Sequence, residues 1–245
     1  SRAASVVQAI RGTLPAGELS GALCRLVEGT LAAQGHGPLA RAEEAANAAS
    51  YDPEFVNADA DVEAIAAGLG ASRAGRLCLY GPPGTGKSAF GRWLANRLGM
   101  PLHARRVSDI VSPYVGVTER NLLRAFREAE AANGVLLLDE VDSFLQDRRG
   151  AQRSWEVTQV NEMLTQMESF GGVFVATTNL MEGLDQAALR RFDLKLRFGY
   201  LRPEQSRRML ARQCGDLGLK APAADVSDAV SRLAALTPGD FAAAA

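Results

Sequence analysis

The sequence predicts a three-layer α/β domain on a parallel sheet, followed by a small α-helical subdomain that is incomplete. Two observations carry that expectation. Short apolar runs bounded by glycines or acids alternate with amphipathic stretches, the order in which a parallel sheet and its right-handed crossover helices are laid down. After Pro203 the alternation stops, and two helical stretches follow one another with no strand between them.

The elements can be justified in chain order. Residues 1–50 are rich in alanine and glycine, and stretches such as "LSGALCRLVEGTLAAQ" read as short helices broken at Gly12, Gly17, Gly35 and Gly37. They are expected to form an N-terminal helical segment or linker, with no recognisable chemical motif. The large α/β subdomain is expected over residues 51–200. Its first clear strand is "RLCLY" (76–80), followed by a glycine-rich turn and the helical "KSAFGRWLANRL". "PLHARRV" reads as a second strand, and "TERNLLRAFREAEAA" as a helix with Leu122, Leu123 and Phe126 on one face. "GVLLLDE" is an unbroken apolar run, typical of a strand buried on both faces. "EVTQVNEMLTQM" is helical, "GGVFVATTN" is another buried strand, and "DLKLRF" is the last. Residues 201–245 contribute "PEQSRRMLARQC" and "DVSDAVSRLAAL", the two helices of a truncated small subdomain.

Composition narrows the function classes. The 245 residues are 47% hydrophobic and 22% charged, with a formal net charge of −1. That balance provides no basic field for nucleic acid and no polybasic face for a membrane. No apolar run reaches the length of a membrane span. The three cysteines, Cys24, Cys78 and Cys214, are scattered. They suit neither a cysteine zinc site nor a disulfide framework, and they fit a reducing, cytoplasmic setting. The chain opens on Ser1-Arg2 and closes on an alanine run; we read it as a piece of something longer.

Three strand ends carry the chemistry. "GPPGTGKS" (81–88) has the spacing of a phosphate loop, and it stands after a strand and before a helix as that motif requires. Backbone N–H groups must converge on phosphate oxygens there, which side chains at Gly84 and Gly86 would obstruct. Lys87 would reach the β- and γ-phosphates, and the Ser88 hydroxyl would ligate Mg2+. "VLLLDEVDSF" (135–144) ends a buried strand in Asp139 and Glu140. Asp139 would hold Mg2+ through water, and Glu140 would polarise the attacking water, since phosphoryl transfer depends on an oriented nucleophile. The interval between Ser88 and Asp139 leaves room for two further strand–helix units. "VFVATTNL" (173–180) ends a third strand at Asn179, whose amide could orient the same water, and "LDQAALRRFD" (184–193) sets Arg190 beside Arg191.

Together these motifs resemble the AAA family of ATPases over about residues 51–241. The resemblance implies the P-loop NTPase sheet of an AAA+ large subdomain, ATP and Mg2+ as cofactors, and ATP hydrolysis. Nucleotide contacts are then expected from Gly81, Pro82, Pro83, Gly84, Thr85, Gly86, Lys87, Ser88 and Ala89, with Ser88 and Asp139 on the metal. Glu140 is the Walker B glutamate and Asn179 the first sensor. Arg190 and Arg191 stand for the arginines that reach a neighbouring subunit's nucleotide, without the Pro-Gly pair many members place between them. Val56 and Asn57 fall in the segment that packs on the adenine, and Gly239 of "TPGDF" falls at the start of the family's last helix.

"PYVGVTE" (113–119) raises its own question, because an aromatic and a branched aliphatic beside a glycine either fold into the core or stand out to grip something. The resemblance favours the second. Tyr114, Val115 and Gly116 match the loop that lines the central pore of a hexamer and holds an extended polypeptide. "QDRRGAQR" (146–153) lies where a second pore loop would be, although its three arginines read as a solvated loop before they read as substrate contacts. The implied partners are further copies of the chain, in a hexamer, and a polypeptide substrate; no specific nucleic acid is expected. The implied function is an ATP-driven protein-remodelling motor. A nucleotide-gated assembly or scaffold with incidental turnover is the alternative, and a nucleic-acid motor is a weaker third. No HExxH protease motif is present.

Overall fold

A computed structural model describes residues 51–114, 116–145, 154–181 and 184–243. The described residues all belong to one compact unit, Ala48–Ala245. Its strands are β1 (Asn57–Ala58), β2 (Gly75–Tyr80), β3 (Leu102–Arg106), β4 (Val135–Asp139), β5 (Val173–Thr178) and β6 (Leu194–Gly199). Its helices are α1 (Val62–Ser72), α2 (Lys87–Leu98), α3 (Val107–Ile110), α4 (Val117–Ala131), α5 (Ser154–Ser169), α6 (Gln186–Leu189), α7 (Pro203–Asp216), α8 (Ala224–Ser231) and α9 (Pro238–Ala243).

The sheet order is β1-β6-β2-β5-β4-β3. All pairings are parallel except that of β1 with β6, where Asn57 faces Gly199 and Ala58 faces Phe198. The central strands are buried on both faces because alternate residues enter different cores. Leu77, Leu79, Val135, Leu137, Val173 and Val175 pack with Leu69 of α1 and Phe90 and Leu94 of α2. Cys78, Leu136, Leu138, Phe174 and Ala176 pack on the other face with Leu122 and Phe126 of α4 and Met163 and Met167 of α5. This is the three-layer arrangement that the continuous apolar runs predict.

The interval between Ser88 and Asp139 holds one strand, β3, not two strand–helix units. The short α3 and the fifteen-residue α4 take up the remaining length. The chain stops pairing after Arg106 because Val107 turns inward to the core as the first residue of α3. Helix α7 is bound to the segment before β1. Gln205 donates its amide to the carbonyls of Glu54 and Val56, each at 3.0 Å. Arg212 pairs with Asp52 at 2.9 Å, Arg208 pairs with Glu54, and both guanidinium groups lie over the Phe55 ring.

Candidate active site

The order β2-β5-β4 sets three carboxyl ends side by side, the edge where open parallel sheets receive ligands. The loop leaving β2 has a shape that glycine allows, as Gly81 and Gly84 show. Gly81 has φ +138°, and a Cβ there would lie 2.0 Å from the Phe198 carbonyl oxygen. Gly84 has φ +77°, and a Cβ there would meet the Thr237 Oγ1 at 2.7 Å. The buried Thr85 closes the turn by donating to the Pro82 carbonyl at 2.8 Å. Helix α2 begins at Lys87, so the free N–H groups of its first turn, including those of Ser88 and Ala89, open towards the loop.

Lys87 is buried, and its ammonium donates to the Gly81 carbonyl (2.7 Å), the Pro82 carbonyl (2.8 Å) and the Asn179 Oδ1 (2.9 Å). Burial lowers its pKa, and Asp139, Asp142 and Glu140 nearby pull in the opposite direction. All three hydrogen-bond partners are neutral, so a phosphate oxygen would be a stronger one. The Ser88 Oγ donates to the Asp139 Oδ1 at 2.6 Å. Thr177, buried at the end of β5, donates its hydroxyl to that same oxygen and accepts the Glu140 backbone N–H at 3.1 Å. Glu140 itself sits in left-handed backbone with φ +61°. The next threonine, Thr178, serves Asp142 and the Leu180 carbonyl instead.

On the other side of the loop, Val56 and Tyr51 lie over Gly86, each 3.8 Å from where its Cβ would be. Tyr51 packs against Phe90 and Trp93, with ring centroids 6.3 and 5.6 Å away. Burial pushes its phenol pKa up, and the hydroxyl has no hydrogen-bond partner among the described residues. Asn57, expected with Val56 at the adenine, has its carboxamide bonded to residues that follow β6. It donates to the Tyr200 carbonyl at 2.7 Å and accepts from the Arg202 Nε at 3.1 Å. Gly239 comes back to the loop, donating its N–H to the Gly84 carbonyl at 2.9 Å; a Cβ on Gly239 would lie 3.0 Å from the Gly84 Cα.

Arg190 and Arg191 sit just after α6, and they differ. Arg191 places its Nε 2.7 Å from a Glu168 carboxylate oxygen, close enough for an ion pair but outside hydrogen-bond alignment, and donates from another guanidinium nitrogen to the Ala187 carbonyl at 2.8 Å. Arg190 is exposed, and its guanidinium makes no hydrogen bond or ion pair with the described residues. Tyr114 is 73% exposed and belongs to neither core. Gly116, with φ +77°, starts α4 just behind it. Val115 and residues 146–153 lie outside the described residues.

The donor set fits a nucleoside triphosphate with Mg2+. Backbone N–H groups and Lys87 suit phosphate, and a hydroxyl with a carboxylate suits a hard cation. Among the described residues no group of three His, Cys, Asp or Glu could hold a metal. Mg2+ needs no such cage when phosphates and water complete its shell. Sequence reasoning singled out Lys87, Ser88, Asp139, Glu140 and Asn179 but missed Thr177, Thr237 and Tyr51. A pair of threonines closing a buried strand beside the acids was the available signal for the first.

A parallel sheet with a phosphate loop after one strand and an Asp-Glu pair after another defines a P-loop nucleotide hydrolase. Residues 77–200, just over half of the chain, match the family model described as "ATPase family associated with various cellular activities (AAA)". The chain belongs to that family and is an ATPase of it. It is 35% identical over 141 residues to an ATP-dependent zinc metalloprotease FtsH of Lachnoclostridium phytofermentans, a match covering 54% of this chain and 24% of that protein. It is 33% identical over 169 residues to vacuolar protein sorting-associated protein 4 of Dictyostelium discoideum, covering 66% and 37%. It is 31% identical over 169 residues to a putative 26S proteasome regulatory subunit homolog of Methanothermobacter marburgensis, covering 66% and 44%. The chain therefore spans less than half the length of each of these relatives. Among the described residues no helix is long and apolar enough to cross a membrane.

Proposed function

We propose that this chain is the ATP-hydrolysing module of a protein-remodelling motor, which assembles with further copies of itself into a hexameric ring and works on a polypeptide in the cytoplasm. The observation that carries the reading is the linked set Lys87–Asn179 and Ser88–Asp139–Thr177–Glu140, drawn from three adjacent strand ends.

With ATP in the loop, the N–H groups of residues 84–89 would hold the β-phosphate, and Lys87 would exchange its carbonyl partners for β- and γ-oxygens. Val56, Tyr51 and Gly239 would border the base. Bound Mg2+ would neutralise charge on the β- and γ-phosphates, with Ser88 and Asp139 as its protein-side oxygens. Glu140 would hold the attacking water by a proton, aimed at the γ-phosphorus. Asn179 gives Lys87 its carbonyl oxygen, which leaves its N–H2 to orient that water or the γ-phosphate. Attack forms the new P–O bond as the bond to the β–γ bridging oxygen breaks, giving ADP and phosphate.

The arginines support a shared site. Asp193, two residues after Arg191, is bonded to Arg76 near the start of β2, whereas the phosphate loop follows its end. At about 3.3 Å per residue the strand sets these two places roughly 16 Å apart. Arg190 would therefore serve a neighbour's nucleotide, with Arg191 fixing the turn that presents it. The names of the relatives, a protease, a sorting protein and a proteasome subunit, favour polypeptide as the substrate.

Tyr114 separates a motor from a nucleotide-gated scaffold. A Tyr114→Ala variant is expected to keep its melting temperature, ATP affinity and basal hydrolysis while losing substrate remodelling; Tyr114→Phe retains it, because contact area matters more than the hydroxyl. Full remodelling by the alanine variant would remove the tyrosine from the mechanism.

A further inference from the structure

One hydroxyl touches both carboxylate residues at the end of β4. Thr177 donates to the Asp139 Oδ1 and accepts the Glu140 backbone N–H, from a side chain that is 2% exposed. We propose that Thr177 is a positioning residue of the hydrolytic site, locking the metal-side carboxylate and the water-polarising glutamate to each other. The inference rests on the roles proposed above for Asp139 and Glu140.

The geometry says what the lock does. Each carboxylate oxygen has two good acceptor directions. The Asp139 Oδ1 receives the Ser88 hydroxyl and the Thr177 hydroxyl, so both of its directions are taken. Oδ2 is then the oxygen left for a metal-bound water. Were Ser88 to lend an oxygen lone pair to a bound Mg2+, the Thr177 hydroxyl would still hold Oδ1 and keep the carboxylate from rotating. Outer partners of this kind orient the groups that meet the metal.

The same hydroxyl governs Glu140. A non-glycine residue at φ +61° is in a sparsely populated backbone region and stays there only when its surroundings hold it. The Glu140 N–H donates to Thr177, and that bond pins the turn from which the carboxylate projects. Thr178, one residue on, makes neither contact: its hydroxyl holds Asp142 and the Leu180 carbonyl in the following loop. The two threonines therefore have different duties, and only the first links the two acids.

Thr177→Val and Thr177→Ser in the full chain test this, with Asp139→Asn and Glu140→Gln alongside. Valine keeps the branched shape of the buried strand residue and removes the hydroxyl, while serine restores it. Three readouts are taken: affinity for a fluorescent ATP analogue with EDTA and with Mg2+, kcat and KM for Mg-ATP per nucleotide-competent protein, and melting temperature. The valine variant should keep its metal-free affinity. It should lose most of the gain in affinity that Mg2+ brings and fall on the order of 10–100-fold in kcat. Serine should return both to near the parent. The proposal is overturned if valine keeps the parental kcat and Mg2+ gain while Asp139→Asn and Glu140→Gln lose turnover. It is equally overturned if serine and valine are impaired alike with lowered melting temperatures, which is plain structural damage. Parental turnover in Asp139→Asn and Glu140→Gln would instead overturn the assignment of the site on which the inference rests.

Discussion

Arg190 and Arg191 are adjacent in the chain and opposite in environment. Glu168 and the Ala187 carbonyl hold Arg191, whereas Arg190 extends exposed and without a partner among the described residues. No reading of "RR" alone divides them, because the difference is made by α5, which arrives from elsewhere in the sequence. The two alanine variants should part accordingly. Arg190→Ala is expected to cut turnover by on the order of 10³–10⁵ with ATP affinity and melting temperature intact, the scale of an arginine supplied in trans. Arg191→Ala gives up a part-exposed ion pair, about 0–1 kcal/mol, and lowers turnover less. Steady-state ATPase rates with melting curves for both variants check this, and equal losses would put both arginines on the nucleotide. Asn57, the first residue of β1, makes a similar point. Its place in the segment was legible, but the Tyr200 carbonyl and Arg202 that take its carboxamide come from more than 140 residues away.

Among the elements, the five strands read from the sequence are β2 to β6; β4 and β5 are the plainest, because strands buried on both faces leave unbroken apolar runs. What escaped were the elements set by contact instead of pattern. Strand β1 has two residues and is defined only by its antiparallel pairing with Gly199 and Phe198 of β6. Helix α3 has four residues and shows no period. The start of β6 is tied to β2 by an equally invisible contact. Arg76 donates to both oxygens of Asp193 from its side chain at 3.1 Å each and from its backbone N–H at 2.9 Å. Those side-chain hydrogen bonds, ahead of the backbone one, hold the Asp193 pKa below the usual carboxylate range. A depressed folded pKa means the contribution is fully present above the unfolded value of about 3.9 and is lost as pH falls through the folded one. Asp193→Asn should therefore be less stable than the parent at neutral pH, by at most about 1 kcal/mol for so exposed a pair. The gap should close below about pH 4. Denaturant titrations at pH 7 and pH 3 measure it, and a gap that stays constant would show that the ion pair is not its source.

Across the whole molecule, the sheet order does what no single motif can. Spatially, β5 separates the phosphate-loop strand from the acidic strand, so Asn179 reaches Lys87 from one side of β5 and Thr177 reaches Asp139 from the other. The helices after residue 200 then close on this edge through Gly239 at Gly84 and through Gln205 at the carbonyls of Glu54 and Val56. A nucleotide there would touch the sheet edge, the segment before β1 and the first turn of α9 together. Hydrolysis there would act on those three parts of the described unit at once. That depends on Glu140 acting on the water and not on nucleotide binding, and one measurement separates the two. In Glu140→Gln, ATP affinity and single-turnover cleavage of bound ATP are measured side by side. Parental affinity is expected, with cleavage slowed on the order of 10²–10⁴-fold, the usual contribution of a general base. Cleavage within a few-fold of the parent would contradict it.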